Sequence, residues 1–181
     1  MRSRWLNPWR IGSGLADWLE ATLPRGRTIV ELGSGEGTAW LAERWRVVSV
    51  EHDARFVGRH ASRYVYAPLR DGWYDAAVLA RELPARCDLL LVDGPPKRIG
   101  RRPLLEHLDL FHTDGWIVLD DVHRHGERLL TAALSARLDR PFAVRRASMW
   151  RRFAVIAPRP VVCSAALLSG RTAGLRSLTQ P

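Results

Sequence analysis

The stretch Thr28–Thr38, T-I-V-E-L-G-S-G-E-G-T, decides how the rest of the chain is read. Its apolar run (Ile29, Val30, Leu32) has strand composition and stops at a turn with glycine at 33, 35 and 37. A second apolar run, Val47-Val48-Ser49-Val50, ends on an acid, Glu51, which lies 18 residues after Gly33. Strand, glycine turn, helix, strand and acid make up half of a nucleoside-binding α/β unit. Glycines let backbone approach a ligand closely, and a carboxylate at the second strand end can hold ribose hydroxyls. Dinucleotide turns use G-x-G-x-x-G and set the pyrophosphate on the helix N-terminus. Here the glycines alternate, with Glu31 just before them and Glu36 among them. Acids in such a turn repel a pyrophosphate and suit a cationic ligand better.

The motif Glu31-x-Gly33-x-Gly35-x-Gly37 resembles the first motif of class I S-adenosylmethionine-dependent methyltransferases, E/D-x-G-x-G-x-G. The resemblance extends over residues 25 to 158. It implies S-adenosylmethionine as cofactor, cradled by Glu31, Gly33, Ser34, Gly35 and Gly37. Glu51 would then take the ribose hydroxyls, His52 or Asp53 would flank the adenine, and Asp93 would face the same ligand. The alternative is an ordinary glycine-rich βα turn in some other α/β protein.

At 181 residues and 46% hydrophobic content, the chain suits one globular domain with a single core. No run approaches the ~20 apolar residues of a membrane span, and Met1–Arg10 has no apolar segment of the secretory kind. Cys87 and Cys163 are too few and too far apart for a disulfide framework or a zinc knuckle. A cytoplasmic setting is the expectation. The net charge of +9 invites a nucleic-acid reading, but 27 arginines against one lysine is a bias that GC-rich coding produces without selection for binding. The basic residues are scattered, and no aromatic-interleaved basic strip accompanies them. Nucleic acid is therefore not the favoured partner, a small-molecule acceptor is, and a homodimer stays open.

Local patterns divide the chain into a Trp-bearing N-terminal segment and helix (1–24), a cofactor-binding domain (25–158) and a partly ordered tail (159–181). Helices are expected at 14–23, 38–44, 53–62, 75–83, 103–110 and 125–138, the last with Leu129, Leu130, Ala133, Leu134 and Leu138 as its apolar stripe. Strands are expected at 28–32, 47–51, 64–67, 87–92, 116–119, 142–149 and 152–157. The short connection between the last two demands an antiparallel hairpin, because a parallel crossover needs a dozen residues or more. The expected fold is α/β: one Rossmann-like, doubly wound, mostly parallel sheet closed by that hairpin, a layout similar to the class I methyltransferases. Trp5 and Trp9 are expected over the cofactor end or on the sheet.

Ligands of open α/β sheets bind outside the carboxyl ends of the strands. Glu51, Asp93 (in V-D-G-P-P-K) and Asp120-Asp121 (in V-L-D-D-V-H) fall at such ends. Three carboxylates brought together must protonate, bind a cation or be spread apart. The same positions resemble those of cation-dependent O-methyltransferases acting on catechols, caffeoyl-coenzyme A and macrolide sugars. That resemblance implies Mg²⁺ on Asp93, Asp120 and Asp121, holding an acceptor hydroxyl and lowering its pKa. Without it, Asp93 is a common strand-end acid and one of the other two caps the next helix. Lys97, the sole lysine, is a candidate base four residues after Asp93, where catechol-type enzymes place theirs three residues after the acid. His123 is the rival base and His125 a further candidate.

Enzymes that methylate amide or exocyclic nitrogens often carry Asn/Asp-Pro-Pro-aromatic after strand four. Here glycine intervenes and lysine follows the prolines, which disfavours amine methylation. The expected activity is methyl transfer to a hydroxyl of a small molecule, with an RNA or protein methyltransferase and a non-catalytic cofactor-binding module as alternatives.

Overall fold

The computed structural model describes residues 11–159. Trp5, Trp9 and the tail beyond Arg159 lie outside the described residues. In chain order the elements are α1 (Ser13–Thr22), β1 (Thr28–Leu32), α2 (Glu36–Ala42), β2 (Arg46–Glu51), β3 (Arg63–Tyr66), β4 (Leu69–Arg70), β5 (Trp73–Tyr74) and α3 (Ala76–Glu82). After these come β6 (Leu89–Val92), two short 3₁₀ turns at Arg102–Leu105 and Leu108–Leu110, β7 (Trp116–Leu119), α4 (His125–Leu138), β8 (Phe142–Arg146) and β9 (Arg152–Ile156). Strands β4 and β5 form a small separate hairpin.

The main sheet has seven strands in the order β3-β2-β1-β6-β7-β9-β8. The first five pair in parallel, while β9 is antiparallel to both β7 and β8. Its strands are apolar on both faces, as a sheet covered on both sides requires. Val30, Leu32, Leu90, Val92, Ile117 and Leu119 join one cluster with Leu79 of α3 and Leu130 and Leu134 of α4. Ile29, Leu89, Leu91, Val118 and Phe153 join the other, with Leu15 and Leu19 of α1 and Leu41 of α2. The edge of Trp18 against Trp116, centroids 5.2 Å apart, fixes α1 on that second face. Truncating a fully buried strand leucine such as Leu89 to alanine costs about 2–5 kcal/mol.

Two expected helices do not form. Residues 53–62 make isolated three-residue turns such as Phe56 N–H to Asp53 C=O at 2.9 Å, and Gly58 sits at φ +77. That backbone suits glycine and ends a helix. The 103–110 segment breaks into two 3₁₀ turns because Pro103 opens the first and His107 leaves helical geometry at φ −108, ψ 15. In α4, Leu130 and Leu134 face the core as expected, but Leu129 is 59% exposed.

The site at the strand ends

Parallel register assembles the site. Leu32 pairs with Val50 and with Val92, and Val92 pairs with Leu119. Gly33, Glu51, Asp93 and Asp120, each the next residue or the last of its strand, therefore emerge side by side at the carboxyl edge. Sheet order reverses between β1 and β6, so the ligand crevice of an open α/β sheet falls between Gly33 and Asp93-Gly94. Backbone meets backbone there. A Cβ on Gly33 (φ +86) would lie 2.9 Å from Gly94 Cα, and one on Gly94 would lie 2.8 Å from Gly33 Cα and 2.6 Å from the Tyr74 hydroxyl. Neither position accepts a side chain.

Glu51 is 3% exposed and accepts from the backbone N–H groups of Ser34 (2.8 Å, Oε2), His52 (2.7 Å, Oε1) and Asp53 (2.8 Å, Oε1). Both lone pairs of Oε1 are thus in use, and Oε2 keeps one open. Ser34 Oγ lies 3.0 Å from the Tyr64 hydroxyl and 3.3 Å from Thr38 Oγ1. Glu31 is set behind the glycine turn, not in it. It is 3% exposed, and its Oε2 accepts from Ser49 Oγ (2.8 Å) and Thr38 Oγ1 (2.9 Å), while Thr38 Oγ1 accepts from Gly35 N–H (3.0 Å). Burial raises its pKa from 4.5 to about 8, partly opposed by the two hydroxyls. Gly37 packs on Ile11, which a Cβ would approach to 2.6 Å. Glu36 is exposed on the first turn of α2.

Sequence reading missed Tyr74. The residue is 1% exposed, and its hydroxyl has no hydrogen-bond partner among the described residues. Desolvation, reinforced by Glu51, raises its pKa well above the usual tyrosine value, so it is a neutral donor. A buried donor left unpaired is uncommon and calls for a partner. Only the short β4–β5 hairpin, too small to register as a sequence pattern, brings it to the crevice.

The expected Mg²⁺ set is not assembled. Asp93, Asp120 and Asp121 do converge, but guanidinium groups occupy the space between them. Arg101, with 3% of its side chain exposed, lies 3.1 Å from Asp93 Oδ1 and 3.6 Å from Asp121 Oδ2. It also donates to the carbonyls of Val92 (3.2 Å), Asp120 (3.0 Å), Asp93 and Pro95 (3.3 Å). Arg151 binds Asp120 and approaches Asp121 Oδ1 at 3.3 Å, while Arg124 reaches Asp121 Oδ2 at 2.8 Å. Mg²⁺ needs open oxygen ligands at about 2.1 Å in octahedral array, which carboxylates already tied to guanidinium do not offer. Among the described residues no cluster of His, Cys, Asp or Glu is arranged to hold a metal.

Desolvation raises the pKa of Asp93 to about 7, with the negative charge of Asp120 adding and Arg101 opposing. Its side chain nonetheless stays 41% exposed. Desolvation likewise raises Asp120, against the pull of Arg151. Asp121 adopts φ +63, a left-handed backbone that strains a non-glycine residue and recurs at functional sites. Of the candidate bases, His123 keeps 34% of its side chain exposed, with Nδ1 3.9 Å from Asp121 Oδ1, beyond hydrogen-bond range. Lys97 is exposed. Both line a groove of about 1010 Å³ that Arg101 separates from the crevice, and His125 lines it too. His52 packs edge-on against Tyr74, centroids 6.2 Å apart.

Strand order, glycine crevice and strand-end acid together define the fold of class I S-adenosylmethionine-dependent methyltransferases, and solved structures agree. A methyltransferase from Geobacter sulfurreducens superposes with a TM-score of 0.54 at 17% identity, over 78% of this chain and 76% of that one. A DhpI–SAH complex gives 0.51 at 17% identity, over 80% and 82%. An rRNA methylase from Streptococcus thermophilus gives 0.50 at 13% identity, over 78% and 92%. No protein-family model matches the chain, and no curated protein sequence matches it. No helix among the described residues is long and apolar enough to cross a membrane.

Proposed function

We propose that the protein is an S-adenosylmethionine-dependent methyltransferase that acts on a hydroxyl of a small molecule without a metal ion. The observation that carries the cofactor reading is the switch point of the sheet, where the glycine turn and the strand-end Glu51 emerge side by side and the buried Tyr74 hydroxyl has no partner among the described residues. The residues present fit the cofactor: Gly33, Ser34, Gly35 and Gly37 line the turn, and Glu51 offers its remaining Oε2 lone pair to one ribose hydroxyl. Tyr74 donates its hydroxyl to the ligand, and His52 flanks it. Glu31 acts from behind, holding Thr38 and Ser49 so that the turn keeps its shape. Bound S-adenosylmethionine supplies an electrophilic methyl group.

Asp93 is the group best suited to take the proton of the acceptor hydroxyl. Arg101 holds Oδ1, the side chain stays partly exposed, and a pKa near neutrality suits a general base. His123, beside Asp121, is the second candidate for that proton, and the exposed Lys97 is better placed to bind acceptor than to deprotonate it. Arg101 orients Asp93 and Asp121 and stands between carboxylates that a metal would otherwise need. Positioning of the acceptor against a fixed cofactor then supplies most of the acceleration.

The charge of +9 favours RNA as the second reading, and a cofactor-binding module without turnover is the third. Transfer of a tritiated methyl group from S-adenosylmethionine tests all three, with hydroxylated small molecules, RNA and protein as acceptors. Label on small-molecule hydroxyls supports the proposal. Label on RNA or protein alone, or none on any class, overturns it.

A further inference from the structure

The groove beside the crevice has the chemistry of a ligand site. Its volume, about 1010 Å³, is at the upper end for small-molecule pockets. Two kinds of surface line it. Leu105, Leu129 and Ala133 give an apolar wall, which accounts for Leu129 standing 59% exposed on a helix whose Leu130 and Leu134 are buried. Lys97 and Arg102 give a cationic one, with His123 and His125 beside them. The single acid in the lining among the described residues, Glu127, is 7% exposed and already paired with Arg124 at 3.9 Å. Lys97 and Arg102, both exposed, make no ion pair with any described residue, so the groove carries uncompensated positive charge. The first turn of α4 adds to it, because the residue that precedes the helix, Arg124, provides no side-chain cap and Gly126 opens onto free space.

We propose that this groove binds an amphiphilic small molecule bearing an oxyanion, phosphate or carboxylate, on an apolar body, and that this molecule is the methyl acceptor. Its role as acceptor rests on the methyl-transfer reading above; its binding does not. Arg101 lines the groove and also pairs with Asp93 and Asp121, so its guanidinium links a ligand seated there to the carboxylates at the strand ends. The oxyanion sits among Lys97, Arg102 and the start of α4, and the apolar body lies on Leu105 and Leu129. A nucleic-acid occupant is disfavoured by the lining itself. Among the described residues no Phe, Tyr or Trp contributes to it, whereas single-stranded RNA sites depend on aromatic stacking.

Calorimetric titration of the full chain with hexyl phosphate, hexanoate, hexanol and inorganic phosphate tests the inference, run beside titrations with S-adenosylmethionine. Hexyl phosphate or hexanoate should bind about tenfold or more tightly than hexanol, as one charge-assisted hydrogen bond provides. The preferred anion identifies the oxyanion. Lys97→Gln/Arg102→Gln should lose about tenfold in affinity for the anion and none for hexanol, and Leu129→Ser should weaken both amphiphiles relative to inorganic phosphate. These exposed positions lie outside the cofactor crevice, so S-adenosylmethionine affinity should stay at the wild-type value. Hexanol binding as well as both anions, or anion affinity unchanged in the double variant, overturns the inference. So does a single-stranded RNA that binds more tightly than either amphiphile through Lys97 and Arg102. Failure of S-adenosylmethionine alone to bind, with the amphiphile pattern intact, instead removes the methyl-transfer reading and leaves the groove standing.

Discussion

Glu31→Gln should make the protein more stable at alkaline pH and barely change it at acid pH. The carboxyl lies 3% exposed behind the glycine turn, and its pKa rises from 4.5 to about 8 in the folded chain. Below pH 4.5 both folded and unfolded chains hold the proton, and Glu31 imposes no penalty. As pH rises from 4.5 to 8 the unfolded chain releases the proton while the folded chain keeps it, so stability falls. Above pH 8 the full penalty is reached. At 1.36 kcal/mol per pKa unit, the loss between pH 5 and pH 9 is about 4 kcal/mol, a large part of the margin of a typical domain. Glutamine keeps an acceptor oxygen for Ser49 and Thr38 and carries no charge to desolvate. Urea denaturation of wild type and variant at pH 5, 7 and 9 measures the effect. The variant should gain roughly 4 kcal/mol on wild type between pH 5 and 9, about 3 of them by pH 7. A stability difference that is the same at all three values would refute the assignment of a buried, protonated Glu31.

Tyr74→Phe removes a buried hydroxyl that has no partner among the described residues, so stability should hold or rise by about 1 kcal/mol while S-adenosylmethionine affinity falls about tenfold. Lower stability with unchanged affinity would make the hydroxyl structural. Arg101→Met leaves Asp93 without its guanidinium partner and removes a donor from the carbonyls of Val92, Asp93, Pro95 and Asp120, and should cost about 3–5 kcal/mol in urea denaturation. A loss under about 1 kcal/mol would show that the guanidinium does not hold the strand ends together. Methyl transfer should be indifferent to EDTA and to added Mg²⁺, since arginines tie up the carboxylates a metal would use; an activity abolished by chelation and restored by Mg²⁺ would reverse that conclusion.

The fold was legible wherever one local pattern decides the outcome. Ile29-Val30 and Val47–Val50 are apolar runs bounded by turns, and the five residues between β8 and β9 allow only an antiparallel pair. Glu51, Asp93 and Asp120 were placed at strand ends because strand ends can be read from where apolar runs stop. Contacts set by tertiary structure were not legible. Arg101 is 8 residues from Asp93 and Arg151 is 31 from Asp120, and nothing in either sequence interval announces the pairing. Three clustered aspartates therefore read as a cation site, when the cations are side chains of the same protein. Glu31 matched the motif, but only the folded sheet shows that it points into the layer behind the turn. Gly58 and His107 broke two helices whose composition was otherwise suitable. Leu129 fitted the stripe of α4, yet the wall it would have met is the open groove.

The most direct test is calorimetric titration of S-adenosylmethionine into the wild-type chain and into Gly94→Val. Any side chain at 94 meets Gly33 Cα at 2.8 Å and the Tyr74 hydroxyl at 2.6 Å, at the floor of the crevice. A crevice that binds the cofactor predicts one-site micromolar binding to wild type, displaced by S-adenosylhomocysteine and not by NAD, and no measurable binding to a variant that still unfolds cooperatively. Absence of binding to wild type, or equal binding to both proteins, would contradict it.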